Sequence, residues 1–178
     1  MAITMLLFTT FANSCVRYID KVSAPRRIQI MQGDLTFYRD SNILIYKSVI
    51  GIKKDTEVGH SKPFYAKLPK RLKWYEISNS ESFNFFYDND QAIVVNIDLF
   101  ESSSLIDTTY VPDKDEIVKF IASCPIATSD NYDLKNISVK TTRKQLLIKK
   151  NSASILLFNI EPGNINLFES YLLKFKFL

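Results

Sequence analysis

The chain has 178 residues, a formal net charge of +4 and two cysteines. This length suffices for one domain with a real core, and two cysteines are too few for a disulfide framework. Only four residues are glycine and one is histidine, so a glycine-rich phosphate cradle and histidine-based zinc spacing are both excluded. We therefore expect no metal and no cofactor. The mild positive charge permits an anionic partner without requiring one.

The first fifteen residues, MAITMLLFTTFANSC, are uncharged and mostly apolar. The apolar run 2–12 has the length of a signal-peptide core and is far shorter than the roughly 20 residues that span a bilayer. Small residues, Ala12 and Ser14, stand three and one positions before Cys15, which is the pattern that signal peptidases recognise. The stretch therefore predicts export, with cleavage directly before Cys15.

This stretch resembles bacterial lipoprotein signals, in which the cysteine after the cut carries the lipid. The box reads Ala-Asn-Ser-Cys instead of having the usual Leu at position −3, and no Lys or Arg precedes the apolar run; Bacteroidetes-type signals tolerate such looser boxes. The resemblance covers residues 1–15 alone and implies a membrane anchor through a lipid on Cys15. Two alternatives stay open: an ordinary cleaved signal, or a strand or helix of a cytosolic fold.

The sequence after the leader predicts a short tether followed by one folded unit. Residues 15–27 carry several charged side chains, which suits a segment between an anchor and a folded body. Residues 28–178 are predicted to form a single α+β domain, and residues 1–14 are the predicted signal peptide.

A β-prone run, a polar stretch of four or five residues and a second β-prone run follow one another three times. Asn, Asp and Ser recur in the polar stretches, and they favour turns because they form local backbone hydrogen bonds. Each copy therefore predicts a β-hairpin. The paired runs are 35–38 with 43–46, 83–87 with 92–97, and 145–148 with 154–160. Since the runs are almost continuously apolar, we expect much of the sheet to be covered on both faces.

Two helices are predicted. Asp113 and Glu116 form a capping box, which marks a helix start. The apolar residues that follow lie on one helical face: Ile117, Phe120, Ile121 and Cys124. A second helix is predicted from Asn164 onward, and the alternating residues 174–178 predict a terminal strand. The expected fold is α+β, with an antiparallel sheet of about six to eight strands covered by these two helices.

A basic and aromatic stretch is the clearest candidate for a binding surface. Its members are Lys67, Lys70, Arg71, Lys73 and Trp74. Cations beside aromatic rings suit nucleic acid or a lipid headgroup surface, although export disfavours nucleic acid. The alternative is a solvated cationic face with Trp74 in the core. Neither helical nor strand periodicity fits residues 67–77, and Pro69 would suit the first turn of a short helix.

Three other features carry weaker hypotheses. Asp88 and Asp90 could bind calcium together with backbone oxygens, but the stretch lacks the EF-hand pattern and an ordinary turn is favoured. His60 could act as a general base, or be a surface histidine in a turn. Cys124 is expected to be a buried thiol, or to pair with Cys15 in an oxidising compartment if Cys15 carries no lipid.

These features favour a cell-envelope lipoprotein that acts as a binding or accessory module. Its expected partners are the membrane, through a lipid on Cys15, and another envelope protein. Its location would be extracytoplasmic, in the periplasm or at the outer membrane, and cytoplasmic if the leader is not a signal. The alternatives are an exported enzyme that uses His60 or the Asp88 and Asp90 turn, and a cytosolic or viral module that binds an anionic partner. No catalytic residue is predicted.

Overall fold

The computed structural model describes residues 15–18, 29–32, 35–38, 41–47, 51–54, 57–60, 62–78, 81–100, 107–124 and 138–178. The predicted signal peptide lies outside the described residues. So do residues 101–104 and 128–133, whose sequence predicts loops. So does Pro125, which the sequence predicts as the end of the first helix.

Within the described residues the strands form three antiparallel sheets. The largest has seven strands in the order β1 (Cys15–Tyr18), β8 (Trp74–Ser78), β9 (Ser82–Phe86), β10 (Ala92–Ile97), β13 (Ala153–Ile160), β12 (Lys144–Lys150) and β11 (Thr108–Tyr110). The second has five, in the order β14 (Lys176–Phe177), β7 (Phe64–Lys67), β4 (Ile43–Tyr46), β3 (Leu35–Tyr38) and β2 (Gln29–Gln32). The third is the hairpin of β5 (Gly51–Lys54) and β6 (Glu57–His60). With helices α1 (Lys114–Ser123) and α2 (Ile165–Leu172), the α+β class is confirmed.

All three predicted hairpins form. Strands β3 and β4 pair, as do β9 with β10 and β12 with β13. The turns use residues that tolerate a left-handed backbone, with positive φ at Asn42, Asn89 and Asn151. The sequence predicts one sheet of about six to eight strands, whereas the strands are divided among three sheets. The β3–β4 hairpin belongs to the five-stranded sheet, and the other two predicted hairpins belong to the seven-stranded sheet.

The main core lies between the five-stranded and the seven-stranded sheet. Tyr46 and Phe64 of the smaller sheet meet Phe83 of the larger one, with ring centroids 4.9 and 4.8 Å apart. Phe175, which precedes β14, packs 5.1 Å from the ring of Phe64 and is fully buried. These aromatic contacts join the two sheets into a sandwich.

Helix α1 covers the other face of the seven-stranded sheet. Its buried residues Ile117 and Ile121 pack in one cluster with Leu156 and Phe158 of β13. The predicted N-cap is confirmed, because the Asp113 carboxylate accepts a hydrogen bond from the Glu116 backbone N–H at 2.8 Å. The Glu116 carboxylate accepts from the Tyr110 hydroxyl instead, so the reciprocal bond of the capping box does not form among the described residues. The larger sheet is therefore covered on both faces, as its apolar strands require.

Residues 68–73 form an irregular connection from β7 in the smaller sheet to β8 in the larger one. The short helix that Pro69 would have started is absent from this described segment. Leu68 and Leu72 are both buried in the main core, and the Leu68 N–H donates to the Asn42 carbonyl at 2.8 Å. The two leucines anchor the connection, and Lys70 and Arg71 between them are exposed.

Candidate functional site: a polar pocket beside the 68–73 connection

A pocket of about 300 Å³ opens where three segments meet. They are residues 69–71 of the connection, the turn 87–91 between β9 and β10, and residues 161–168 at the start of α2. The Tyr87 hydroxyl donates a hydrogen bond to the Pro69 carbonyl at 3.3 Å. This bond ties the connection to the hairpin turn and fixes one side of the pocket.

A hydrogen-bond network around Gln91 holds the turn against the start of α2. The Gln91 Nε2 donates to the Asp88 carbonyl at 3.1 Å, and its Oε1 accepts from the Glu161 backbone N–H at 3.0 Å. The Glu161 carboxylate accepts from the side-chain amides of Asn89 and Asn164, at 2.9 and 3.3 Å. Gln91 is itself buried, so the loss of these bonds would leave a buried polar group unsatisfied.

Each acidic side chain at the pocket has a cationic partner of its own. Asp88 lies 3.4 Å from the Lys73 ammonium, and Glu161 lies 2.8 Å from the Arg143 guanidinium. Such partly exposed pairs add little to stability, but they neutralise the two carboxylates. Lys70 and Arg71, by contrast, are exposed and form no ion pair with any residue that the structure describes. Of the described residues, these two supply the positive charge at the pocket that no ion pair offsets.

Arg71 has a left-handed backbone conformation, with φ of 69°. Arginine adopts this region at a cost of about 1–2 kcal/mol, whereas glycine adopts it without strain. On the other side of the pocket Asn89 also has positive φ, at 60°, but asparagine tolerates this conformation well. Among the residues that line the pocket, the backbone strain therefore falls on Arg71, which has a long cationic side chain.

The apolar part of the pocket comes from α2 and from Tyr87. The Phe168 and Tyr87 rings meet edge to face with centroids 5.0 Å apart, and both are buried. Burial raises the pKa of Tyr87 well above its ordinary value, so its hydroxyl stays a proton donor even at alkaline pH. Leu167, which also lines the pocket, is 49% exposed.

The structure divides the predicted basic and aromatic stretch among three places. Lys70 and Arg71 line the pocket, and Lys73 pairs with an acidic residue that lines it. Lys67 lies over the Tyr171 ring, with its ammonium 5.4 Å from the centroid. Trp74 points to the α1 side of the sheet, where it stacks on Phe86 at 5.1 Å. Cations and tryptophan therefore do not form one continuous stacking platform.

The remaining predicted side chains lie in ordinary surroundings. Asp88 and Asp90 each pair with a lysine, and within the described ranges no three or more His, Cys, Asp or Glu cluster as a metal site. His60 is exposed, but it ends strand β6, so the predicted turn at this position is wrong. Cys124 is a buried thiol, 2% exposed, whose Sγ–H donates to the Phe120 carbonyl at 3.3 Å.

Cys15 is the first residue of β1, which pairs with β8 so that Cys15 lies opposite Ile77. This strand falls within the segment predicted as a tether. Its backbone pairing does not bear on lipidation, which stays a prediction.

Sequence reasoning missed several pocket residues. Gln91, Glu161 and Asn164 carry no motif, and the bond between Gln91 and Glu161 joins residues 70 positions apart. Only the fold brings such residues together.

Comparison with known protein families, curated proteins and solved structures finds no match, which agrees with the absence of a recognisable domain family in the sequence. In the part of the chain that the structure describes, no helix has the length and apolar character needed to span a membrane.

Proposed function

We propose that this chain is a binding module that captures a small anionic ligand in the pocket, with Lys70 and Arg71 as the groups that bind the anion. The pocket is concave, combines apolar and polar walls and is near the lower end of the volumes typical of small-ligand sites. Its uncompensated charge comes from these two cations. An anion that enters would therefore meet a favourable potential in a partly enclosed site.

The backbone of Arg71 is the observation that carries this proposal. An arginine held at φ of 69° destabilises the fold relative to glycine by about 1 kcal/mol or more. Its side chain forms no hydrogen bond or ion pair with a described residue that would offset this cost. Strain of this kind is typical of functional positions, and here the guanidinium is the group that a glycine would lack.

The substitution Arg71→Gly separates function from stability. We expect the variant to be at least as stable as the parent, since the left-handed backbone is relaxed. We also expect it to lose the saturable amide chemical-shift changes that acetate or inorganic phosphate causes at residues 70–71 and 87–91 at low salt.

Asn151→Gly is the matched control, because Asn151 also has positive φ, 51°, but lies in the turn between β12 and β13. This variant should bind both anions as the parent does. The proposal is wrong if neither anion causes saturable shifts in the parent, or if Arg71→Gly binds them equally well.

We further propose that the module works at a membrane surface of the cell envelope, where a lipid on Cys15 anchors it and another envelope protein is its functional partner. The support is the lipoprotein-like leader with small residues Ala12 and Ser14 before Cys15. Cleavage would remove residues 1–14 and acylation would add a defined mass to Cys15, so the intact mass of the native chain tests the anchor.

A further inference from the structure

We propose that the anion is the carboxylate of an N-acylated amino acid, as found at the C-terminus of a peptide, with its apolar side chain placed against Leu167. This proposal rests on the proposed function and specifies its ligand. Three features of the pocket support it: the charges, the free amide oxygens and the exposed leucine.

The charges favour a carboxylate over a phosphate dianion. The planar guanidinium of Arg71 can bind either a carboxylate or a phosphate through two parallel hydrogen bonds, so the neighbouring acidic residues make the distinction. Asp88 and Glu161 line the same pocket, and although each is paired, their charges oppose a second negative charge on the ligand more than a single one. The lining residues include no glycine, so the pocket lacks the glycine-rich backbone donors that phosphate sites use.

Two amide oxygens can accept the N–H of an acylated amino acid. Asn89 and Asn164 donate through their Nδ2 groups to Glu161. The Oδ1 atom of each accepts no hydrogen bond from the residues whose placement is described. Both asparagines line the pocket together with the two cations. A ligand that carries a carboxylate next to an amide N–H would bind the cations through its carboxylate and an asparagine Oδ1 through its N–H.

Leu167 supplies an apolar contact. It is 49% exposed although it lines the pocket, while its neighbour Phe168 is buried. An apolar ligand side chain that covers Leu167 would remove this surface from water, which is favourable. The pocket thus combines a carboxylate site with a surface for an aliphatic group.

The test is calorimetric titration of the full chain with N-acetyl-L-leucine, N-acetyl-L-leucinamide and N-acetylglycine. We expect the amide, which lacks the charge, to bind about tenfold more weakly than N-acetyl-L-leucine. N-acetylglycine should also bind more weakly, because it lacks the aliphatic group.

Leu167→Ala should reduce the preference for N-acetyl-L-leucine over N-acetylglycine. Leu173→Ala is the matched control, since Leu173 is 50% exposed beyond the other end of α2 and does not line the pocket. It should leave the preference unchanged. Equal binding of the acid and its amide, or an unchanged preference in Leu167→Ala, would overturn the ligand assignment.

The outcomes also separate this inference from the proposed function. If inorganic phosphate binds through Arg71 while N-acetyl-L-leucine does not, the ligand class is wrong and the anion site stands. If neither compound binds, and acetate does not bind either, both proposals fail.

Discussion

Tyr87 lines the pocket, and its hydroxyl has one hydrogen-bond partner among the residues that the structure describes. It is 5% exposed and donates to the Pro69 carbonyl. Burial raises its pKa because the phenolate would lose its hydration. The folded protein therefore holds this proton more tightly than the unfolded chain does.

This difference predicts a stability loss at alkaline pH that depends on Tyr87. The contribution is fully present below the unfolded pKa of about 10 and disappears as the pH rises through the higher folded value. Tyr87→Phe removes it. At pH 7 the variant should lose about 0.5–1.5 kcal/mol, the usual value of one neutral hydrogen bond. At pH 11 the difference in the free energy of unfolding between the parent and the variant should shrink or reverse. Urea unfolding of both proteins at the two pH values measures this difference, and an unchanged difference would contradict the prediction.

Helix α1 is an element whose start depends on one side chain. The Asp113 carboxylate accepts the Glu116 N–H, which satisfies one of the unpaired donors of the first turn. We expect Asp113→Ala to lower the free energy of unfolding by about 1 kcal/mol. Asp115→Ala is the control, because it removes the same charge from the first turn without removing a cap; its effect should be about 0.3 kcal/mol. If both variants lost the same free energy of unfolding in urea, the negative charge rather than the capping hydrogen bond would account for the stabilisation.

At the scale of secondary-structure elements, the sequence predicts those whose formation depends on residues close to one another along the chain. The hairpins follow from β-prone runs around turn residues such as Asn42 and Asn151, and α1 follows from its capping box. Strands β2, β5 and β6 were missed because each has four residues and no continuous apolar run, as in QIMQ, GIKK and EVGH. Their pairing depends on the partner strand more than on their own sequence.

The pocket was predictable only in fragments. Lys70 and Arg71 stood out as cations, and Asp88 stood out as a carboxylate in a turn, but each suggested a different ligand. What joins them is the crossing of the 68–73 connection between two sheets, which a single-sheet expectation does not contain. Nor could the sequence reveal the left-handed backbone of Arg71, since glycine is the usual signal for that conformation.

At the scale of the whole molecule, Cys15 in β1 and the pocket lie beside opposite ends of the neighbouring strand β8. Tyr18 pairs with Trp74, at the end of β8 that follows the pocket connection, and Cys15 pairs with Ile77. Three residues of strand separate the two ends by about 10 Å. A lipid on Cys15 would therefore place the membrane beside the end of the strand that is farther from the pocket.

This arrangement predicts that membrane attachment leaves ligand binding intact. We expect the acylated native chain to bind N-acetyl-L-leucine with the same affinity, to within about twofold, in detergent and after insertion into phosphatidylcholine vesicles. Intact mass of the same preparation must first show the loss of residues 1–14 and an acyl group on Cys15. The Arg71→Gly variant, inserted in the same way, controls for partition of the apolar ligand into the bilayer. A tenfold loss of affinity on insertion would mean that the pocket faces the membrane, and the opposed placement of anchor and pocket would then be wrong.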